Sequence, residues 1–175
     1  MAIFTRDGYG VVEPNHLSAP RTGQVYAQLP AAEGIDILEN GMFVRYNYGK
    51  KNGASIDGEV SFEGEGPWML VFNEEKLYDE RHQMHKHFAQ KVEDSYDGKI
   101  YPRCLVPVLG DVFTTNMFAD EVMGQEMDDL FGKKFTPGEA GKLVLGEAAP
   151  CFKAVACYIM PDGQPGIKLQ CIKEQ

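Results

Sequence analysis

A strand pair near the end of the chain sets the fold class. Apolar residues recur at every second position on both sides of a turn-rich segment, at Val155, Cys157, Ile159, Ile167, Leu169 and Cys171. This alternation predicts a β-hairpin with one apolar face. In the turn, Pro161 and Pro165 fix φ, and Gly163 and Gly166 accept positive φ. Two strands alone are marginally stable in water, so the hairpin needs a partner sheet.

Several earlier segments also have strand character. Asn40-Gly41 lies between the strand-like runs 35–38 and 42–48, and this dipeptide is a strong hairpin signal. The run 68–72 is apolar throughout, which predicts a strand buried on both faces with the single tryptophan in the core. Two similar segments, 109–115 and 131–137, each place a glycine turn before a short strand, which suits a small barrel or sandwich.

One segment has helical spacing. Asn73 is a candidate N-cap, and the acidic residues that follow it favour the first turn of a helix. The spacing of the next apolar residues predicts a helix over 74–90.

Taken together, these segments predict a mainly β chain, a β-rich α+β fold, with a small β-barrel or sandwich module in its C-terminal half and hairpins plus one helix before it.

The first 34 residues contain few periodic apolar positions and many glycines and prolines. A segment of this composition cannot close a core of its own. We expect an extended N-terminal arm that either stays flexible or becomes ordered on another subunit. Its residues expected to contact a partner are Arg6, His16, Arg21, Val25, Tyr26 and Leu29. The predicted units are the arm (1–34), a hairpin and helix region (35–98) and the β-module (99–175), or a single domain from residue 34 onward.

The chain is acidic, with 26 Asp and Glu against 17 Lys and Arg and a formal net charge of -9. Such a charge repels nucleic-acid phosphates and anionic membranes, so neither is an expected direct partner. The first residues lack the pattern of a secretory signal, and no run approaches the roughly twenty apolar residues of a membrane span. We expect folding in a cytoplasm, where the cysteines stay reduced.

The segment 82–87 carries three of the four histidines. On a helix, His82 and His85 would share a face with Asp79, which makes a site of two histidines and one carboxylate conceivable. The spacing lacks the general-base glutamate of a zincin, and a solvated helix face is the alternative. The sequence shows no glycine-rich phosphate loop, nucleophile elbow or paired-carboxylate pattern, so no catalytic residue and no cofactor is expected.

Turn motifs in the last third of the chain carry a resemblance. They are Gly110-Asp111-Val112-Phe113, then Gly132-Lys133-Lys134-Phe135-Thr136-Pro137-Gly138, then Gly141-Lys142-Leu143 and the closing hairpin. Together they resemble the small β-modules of capsid decoration and other auxiliary virion proteins of tailed bacteriophages. More loosely, the N-terminal arm resembles the extended segments that lie on capsid lattices in these families.

The resemblance implies a non-enzymatic virion structural protein that binds the major capsid protein as a decoration or stabilising protein. It implies a homo-oligomer on the exterior of the phage head, assembled in the host cytoplasm. A head-tail joining, tail or baseplate component is the alternative within this class. From other classes, the alternatives are a metal-binding protein or metalloenzyme that uses the His82 and His85 cluster, and a cellular ligand-binding barrel.

Overall fold

A computed structural model of the chain describes residues 2–19, 25–27, 29–48, 58–73, 89–147 and 152–173. Within these ranges the regular structure is almost entirely strand. The strands are β1 (Val12–His16), β2 (Val25–Tyr26), β3 (Ile37–Leu38), β4 (Phe43–Asn47), β5 (Glu59–Ser61), β6 (Trp68–Val71), β7 (Gln90–Lys91), β8 (Cys104–Leu105), β9 (Val112–Thr115), β10 (Lys134–Pro137), β11 (Leu143–Leu145), β12 (Phe152–Ile159) and β13 (Pro165–Cys171). One α-helical turn, α1 (Met127–Leu130), and the 3-10 helices Val92–Asp94 and Glu139–Gly141 complete the described elements.

The larger sheet has six antiparallel strands in the order β1-β9-β13-β12-β10-β11. Its centre is the predicted terminal hairpin, β12 and β13, which is confirmed. A register shift between Ala154 and Ala156 changes which residues of β12 face the core. Ala154 pairs with Leu169 before the shift and Cys157 pairs with Ile167 after it. The expected alternation through Val155 is therefore wrong, because an extra residue in a bulge reverses the parity of a strand.

A second sheet has five strands in the order β2-β8-β6-β4-β5, and β3 pairs with β7 in a separate ribbon. The hairpin predicted around Asn40-Gly41 is wrong. Residues 40 and 41 do form a turn, with Gly41 at φ 91°, but the strand before it pairs with β7 instead of β4. The reason is that β6 occupies this position: Gly41 N donates to Val71 O (2.9 Å) and Val71 N donates to Met42 O (2.8 Å).

Two apolar cores lie on opposite faces of β4 and β6. Phe43 and Leu70 face the six-stranded sheet, where the Phe43 ring lies 5.3 Å from that of Phe152. Val44 and Met69 face a second core on the other side. All four residues of β6 are buried, so the prediction of a strand covered on both faces is confirmed. Trp68, which is 8% exposed, lies in the first core as expected.

The prediction of a mainly β chain is confirmed, and the sheets pack face to face without closing into a barrel. Of the predicted helix, residues 74–88 lie outside the described ranges, and Gln90 belongs to β7. The predicted units also differ from the sheets. Strand β8, from the C-terminal unit, joins the sheet built from residues before 99, and β1 and β2 come from the predicted arm.

Two outer sheet edges are covered by other segments of the chain. At β11, Leu143 N donates to Met117 O (3.2 Å), and Leu145 N donates to the Glu121 carboxylate (2.9 Å). At β5, Val60 exchanges backbone hydrogen bonds with residues 30–32. The edge strand β1 carries Pro14, which has no N–H to offer, and its register is irregular between Glu13 and His16.

Candidate interaction surface

Residues 2–19, called the N-terminal strap here, lie across the six-stranded sheet and the loop that precedes α1. Phe4 N donates to Gln125 O and Gly124 N donates to Phe4 O, each at 2.9 Å. The Phe4 side chain is fully buried and packs edge-to-face on Phe118, with ring centroids 5.3 Å apart. The expectation for this segment is an arm that stays flexible or becomes ordered on another subunit. In the structure, residues 2–19 lie against the body of their own chain, where the strap supplies an apolar anchor and an edge strand to the fold.

Four buried side chains of the body hold backbone amides of the strap. Each accepts a hydrogen bond from a strap N–H: Asp7 N to Gln164 Oε1 (3.1 Å), Gly10 N to Glu39 Oε2 (2.6 Å), Val11 N to Asn116 Oδ1 (2.8 Å) and Ser18 N to Asp111 Oδ1 (3.0 Å). All four acceptor residues are at most 7% exposed. Buried polar side chains are stable only with partners, so these groups require a docked strap.

An ion pair balances the charge at the middle of the strap. Arg6 Nη1 lies 3.0 Å from Glu39 Oε2, and the two side chains are 21% and 10% exposed. The same oxygen accepts the Gly10 amide, so the carboxylate is shared between a side chain and the backbone of the strap. Breaking a pair this well buried leaves an uncompensated charge, which is strongly destabilising.

Asp111 fixes the end of the strap to the corner before β9. One carboxylate oxygen accepts from the backbone and hydroxyl of Ser18, at 3.0 and 2.6 Å, and the other accepts from Val108 N at 3.0 Å. This aspartate belongs to the Gly110-Asp111 corner that the sequence singled out as a turn. Its observed role is wider, because it ties the N-terminal strap to the C-terminal half of the chain.

A surface cleft of about 410 Å³ runs between β1 and the turn that joins β12 to β13. Its lining residues are Val11, Val12, Glu13, Pro14, Asn15, Met160, Pro161 and Asp162. Beside it, Tyr158 Oη donates to the Glu13 carboxylate and lies 2.7 Å from Thr114 Oγ1, which donates to Asn15 Oδ1 at 2.6 Å. Burial raises the pKa of Tyr158, and the adjacent Glu13 raises it further. The two acidic side chains give the cleft a negative character that suits a cationic group of a partner protein.

The predicted partner-contacting residues do not form one surface. Arg6 is committed to Glu39, and Leu29 is buried in the second core. His16 is exposed at the end of β1, whereas Val25 and Tyr26 are half-buried in β2. Arg21 lies outside the described residues.

Tyr26 belongs to a small aromatic cluster. Its ring centroid lies 5.5 Å from that of Tyr46. The Tyr46 centroid lies 3.6 Å from that of Tyr48, with the two ring planes tilted by 42°. A hydrogen bond with Tyr48 raises the pKa of Tyr26, and burial adds to the effect. Tyr48 is 68% exposed, so this cluster presents one aromatic face to solvent.

The candidate metal ligands His82, His85 and Asp79 all lie outside the described residues. Among the residues that are described, no group of three or more His, Cys, Asp or Glu is arranged to hold a metal ion. Three cysteines are described, and all are free thiols: Cys104, Cys157 and Cys171. Burial raises the pKa of Cys104 to about 12.

Sequence patterns did not identify three of the four polar residues that hold the strap, namely Glu39, Asn116 and Gln164. Their partners are between 29 and 157 positions away along the chain, so no local spacing connects them. Each of the three lies just outside a strand, after Leu38, after Thr115 and before Pro165, and no sequence motif marks it.

Comparison of the sequence with protein-family models finds no match, and comparisons with curated proteins and with solved structures find no significant match either. Within the described part of the chain, no helix is both long and apolar enough to cross a membrane.

Proposed function

We propose that this protein is a non-enzymatic structural component of a tailed-bacteriophage virion, and that it binds the major capsid protein lattice as a decoration or stabilising protein. It would act on the exterior of the head as a homo-oligomer. Its task is to add protein-protein contacts between capsid subunits, where repetition over a shell multiplies contacts that are weak individually.

The observation that carries this proposal is the placement of the resembling motifs. Gly110–Phe113 leads into β9, Lys134–Pro137 is β10, Gly141 turns the chain into β11, and the closing hairpin is β12 with β13. All of these elements belong to the six-stranded sheet. The motifs thus lie in one sheet and are not scattered among unrelated loops, which supports their interpretation as parts of a single β-module.

Charge gives further support. A net charge of -9 is compatible with a position outside a particle filled with DNA, since it disfavours contact with phosphates. The negative cleft between β1 and the hairpin turn offers a place where a cationic side chain of the lattice would bind, beside the exposed residues Asn15 and His16.

Binding to capsids tests the proposal. Purified protein is incubated with capsids assembled from the major capsid protein encoded in the same genome, and the bound fraction is quantified after sedimentation. We expect saturation at a fixed ratio of bound chains to capsid subunits. Deleting the N-terminal segment is a poor perturbation, because it removes Phe4 and β1 from the fold. The better variant is Asp162→Asn, which removes one charge of the cleft while keeping an oxygen for the Gln164 donors and should weaken binding, with Asp128→Asn as an exposed control.

Absence of binding to capsids would contradict the proposal. Labelling of whole particles that places the protein on the tail or baseplate, with none on the head, would instead favour the rival structural role. A stoichiometric metal in the purified protein, lost when His82 and His85 are both replaced by alanine, would favour the metal-binding alternative.

A further inference from the structure

We propose that the groove that holds the N-terminal strap is a self-recognition site, which binds residues 2–19 of a second copy of the chain in place of its own. This inference concerns contacts between copies of the chain and does not depend on the proposed function.

The groove is built as a peptide-binding site. The body binds the strap largely through the strap's backbone. Four buried side chains of the body accept hydrogen bonds from strap amides, and β9 pairs with β1. The backbone of residues 124–127 adds a further antiparallel contact with residues 2–4. Strand addition of this kind supplies affinity through main-chain hydrogen bonds, while side-chain pockets supply specificity.

Three features make the strap's own sequence the best occupant. The Phe4 pocket encloses an aromatic ring completely. The Glu39 carboxylate requires a cation, and Arg6, two residues after Phe4, supplies it. At Gly10 a Cβ atom would overlap Asn40 O and the methyl group of Met117, so only glycine fits at this position of the groove. A foreign segment would need the same three residues at the same spacing, whereas a second copy of this chain provides them automatically.

The connection to the body limits how far the strap can reach. Residues 20–24 lie outside the described ranges and link Ala19 to Val25, the first residue of β2. Even fully extended, six residue steps span at most about 20 Å. An exchanged strap therefore requires two bodies side by side, which is the geometry of a closed pair that exchanges identical elements.

Competition between the two arrangements is set by concentration. A segment tethered by a short linker experiences an effective concentration on the order of 1 mM. The same contacts form in both arrangements, so the chain's own strap prevails in dilute solution. Exchange becomes significant when copies are held next to each other or when they fold together at high concentration.

A pair of variants, each with one cysteine added to the four of the natural sequence, tests the exchange in the full-length chain. Glu13 lies directly opposite Thr114 across β1 and β9. Thr114 is fully buried, so a thiol placed there is shielded from chance collisions between folded molecules. Glu13→Cys and Thr114→Cys proteins are mixed, oxidised mildly and digested, and the cross-linked peptides are identified by mass spectrometry. A disulfide between positions 13 and 114 of different molecules forms only if the strap of one occupies the groove of the other.

We expect the fraction of molecules joined by this disulfide to rise at least tenfold between about 10 μM and about 1 mM protein, because the protein concentration then approaches the effective concentration of the tethered strap. Mixing Glu13→Cys with Lys153→Cys, an exposed position elsewhere on the same sheet, should give no such rise. The double variant Glu13→Cys with Thr114→Cys should close its bond within one molecule in dilute solution, which shows that both substitutions fold and that the geometry permits the bond. Closure in the double variant, combined with no linkage between molecules at 1 mM or after joint refolding, would overturn the proposal.

Discussion

Replacing Phe4 with alanine tests whether the N-terminal strap is an integral part of the fold. The ring is fully buried in the first core and packs edge-to-face on Phe118. Truncating a buried phenylalanine costs about 3–5 kcal/mol in lost transfer energy and residual cavity, including about 1 kcal/mol for an aromatic pair. For a chain of this size, each kcal/mol lowers the melting temperature by about 2–4 °C, so a fall on the order of 10 °C is expected.

Chemical denaturation measures the free energy of unfolding directly, and Ile3→Ala provides the matched control. Ile3 is the preceding residue, is 54% exposed, and should lose less than about 1 kcal/mol when truncated. Limited proteolysis adds a local readout, because a weakened strap exposes cleavage sites in residues 2–19 before the rest of the body. If Phe4→Ala unfolds within 0.5 kcal/mol of the unaltered protein, and its strap resists protease equally well, the anchoring role of Phe4 is refuted.

Three further predictions concern other parts of the fold. Gly141→Ala should destabilise the protein by more than about 2 kcal/mol, because φ is +70° and a Cβ would overlap Phe43 O. Gly132 also has a left-handed backbone (φ +77°) but lies in open space, so Gly132→Ala should cost only about 1 kcal/mol. Denaturant midpoints measure both losses. Asp111→Ala should cost about 3 kcal/mol by the same measurement, since three donors lose a charged acceptor. Burial raises the pKa of Cys104 from 9.0 to about 12, so the contribution of this thiol to stability is complete below pH 9 and is lost as the pH rises towards 12. Between these pH values, the free energy of unfolding measured with denaturant should decrease less steeply with pH for Cys104→Ala than for the unaltered protein.

The fold class was predictable because it depends on short-range alternation. Apolar residues at every second position identified the terminal hairpin, and an uninterrupted apolar run identified β6 as a strand buried on both faces. The exact faces of β12 were not predictable, since a bulge between Ala154 and Ala156 leaves no mark in the apolar pattern. The turn at Asn40-Gly41 was located correctly, but its neighbours pair elsewhere because tertiary contacts override a local hairpin preference.

The interaction surface was less accessible to sequence reasoning than the fold. Glycine and proline in the first 34 residues indicated a segment unable to form its own core, and this is compatible with a strap that packs on the body. What the composition could not reveal is that the partners are Glu39, Asn116 and Gln164 of the same chain. Contacts over such long separations arise from topology, which spacing along a sequence does not encode.

The covered edges of the two sheets have a consequence for crowding. An unprotected outer strand offers a row of free amides and carbonyls that another chain can extend, which leads to filaments and precipitates. At β11, backbone amides are bonded to the Glu121 carboxylate and to Met117 O, and at β5, Val60 is bonded to residues 30–32. At β1, Pro14 has no amide N–H to offer. At these three edges the addition of a strand from another copy is disfavoured, so neighbouring copies would meet there through side chains.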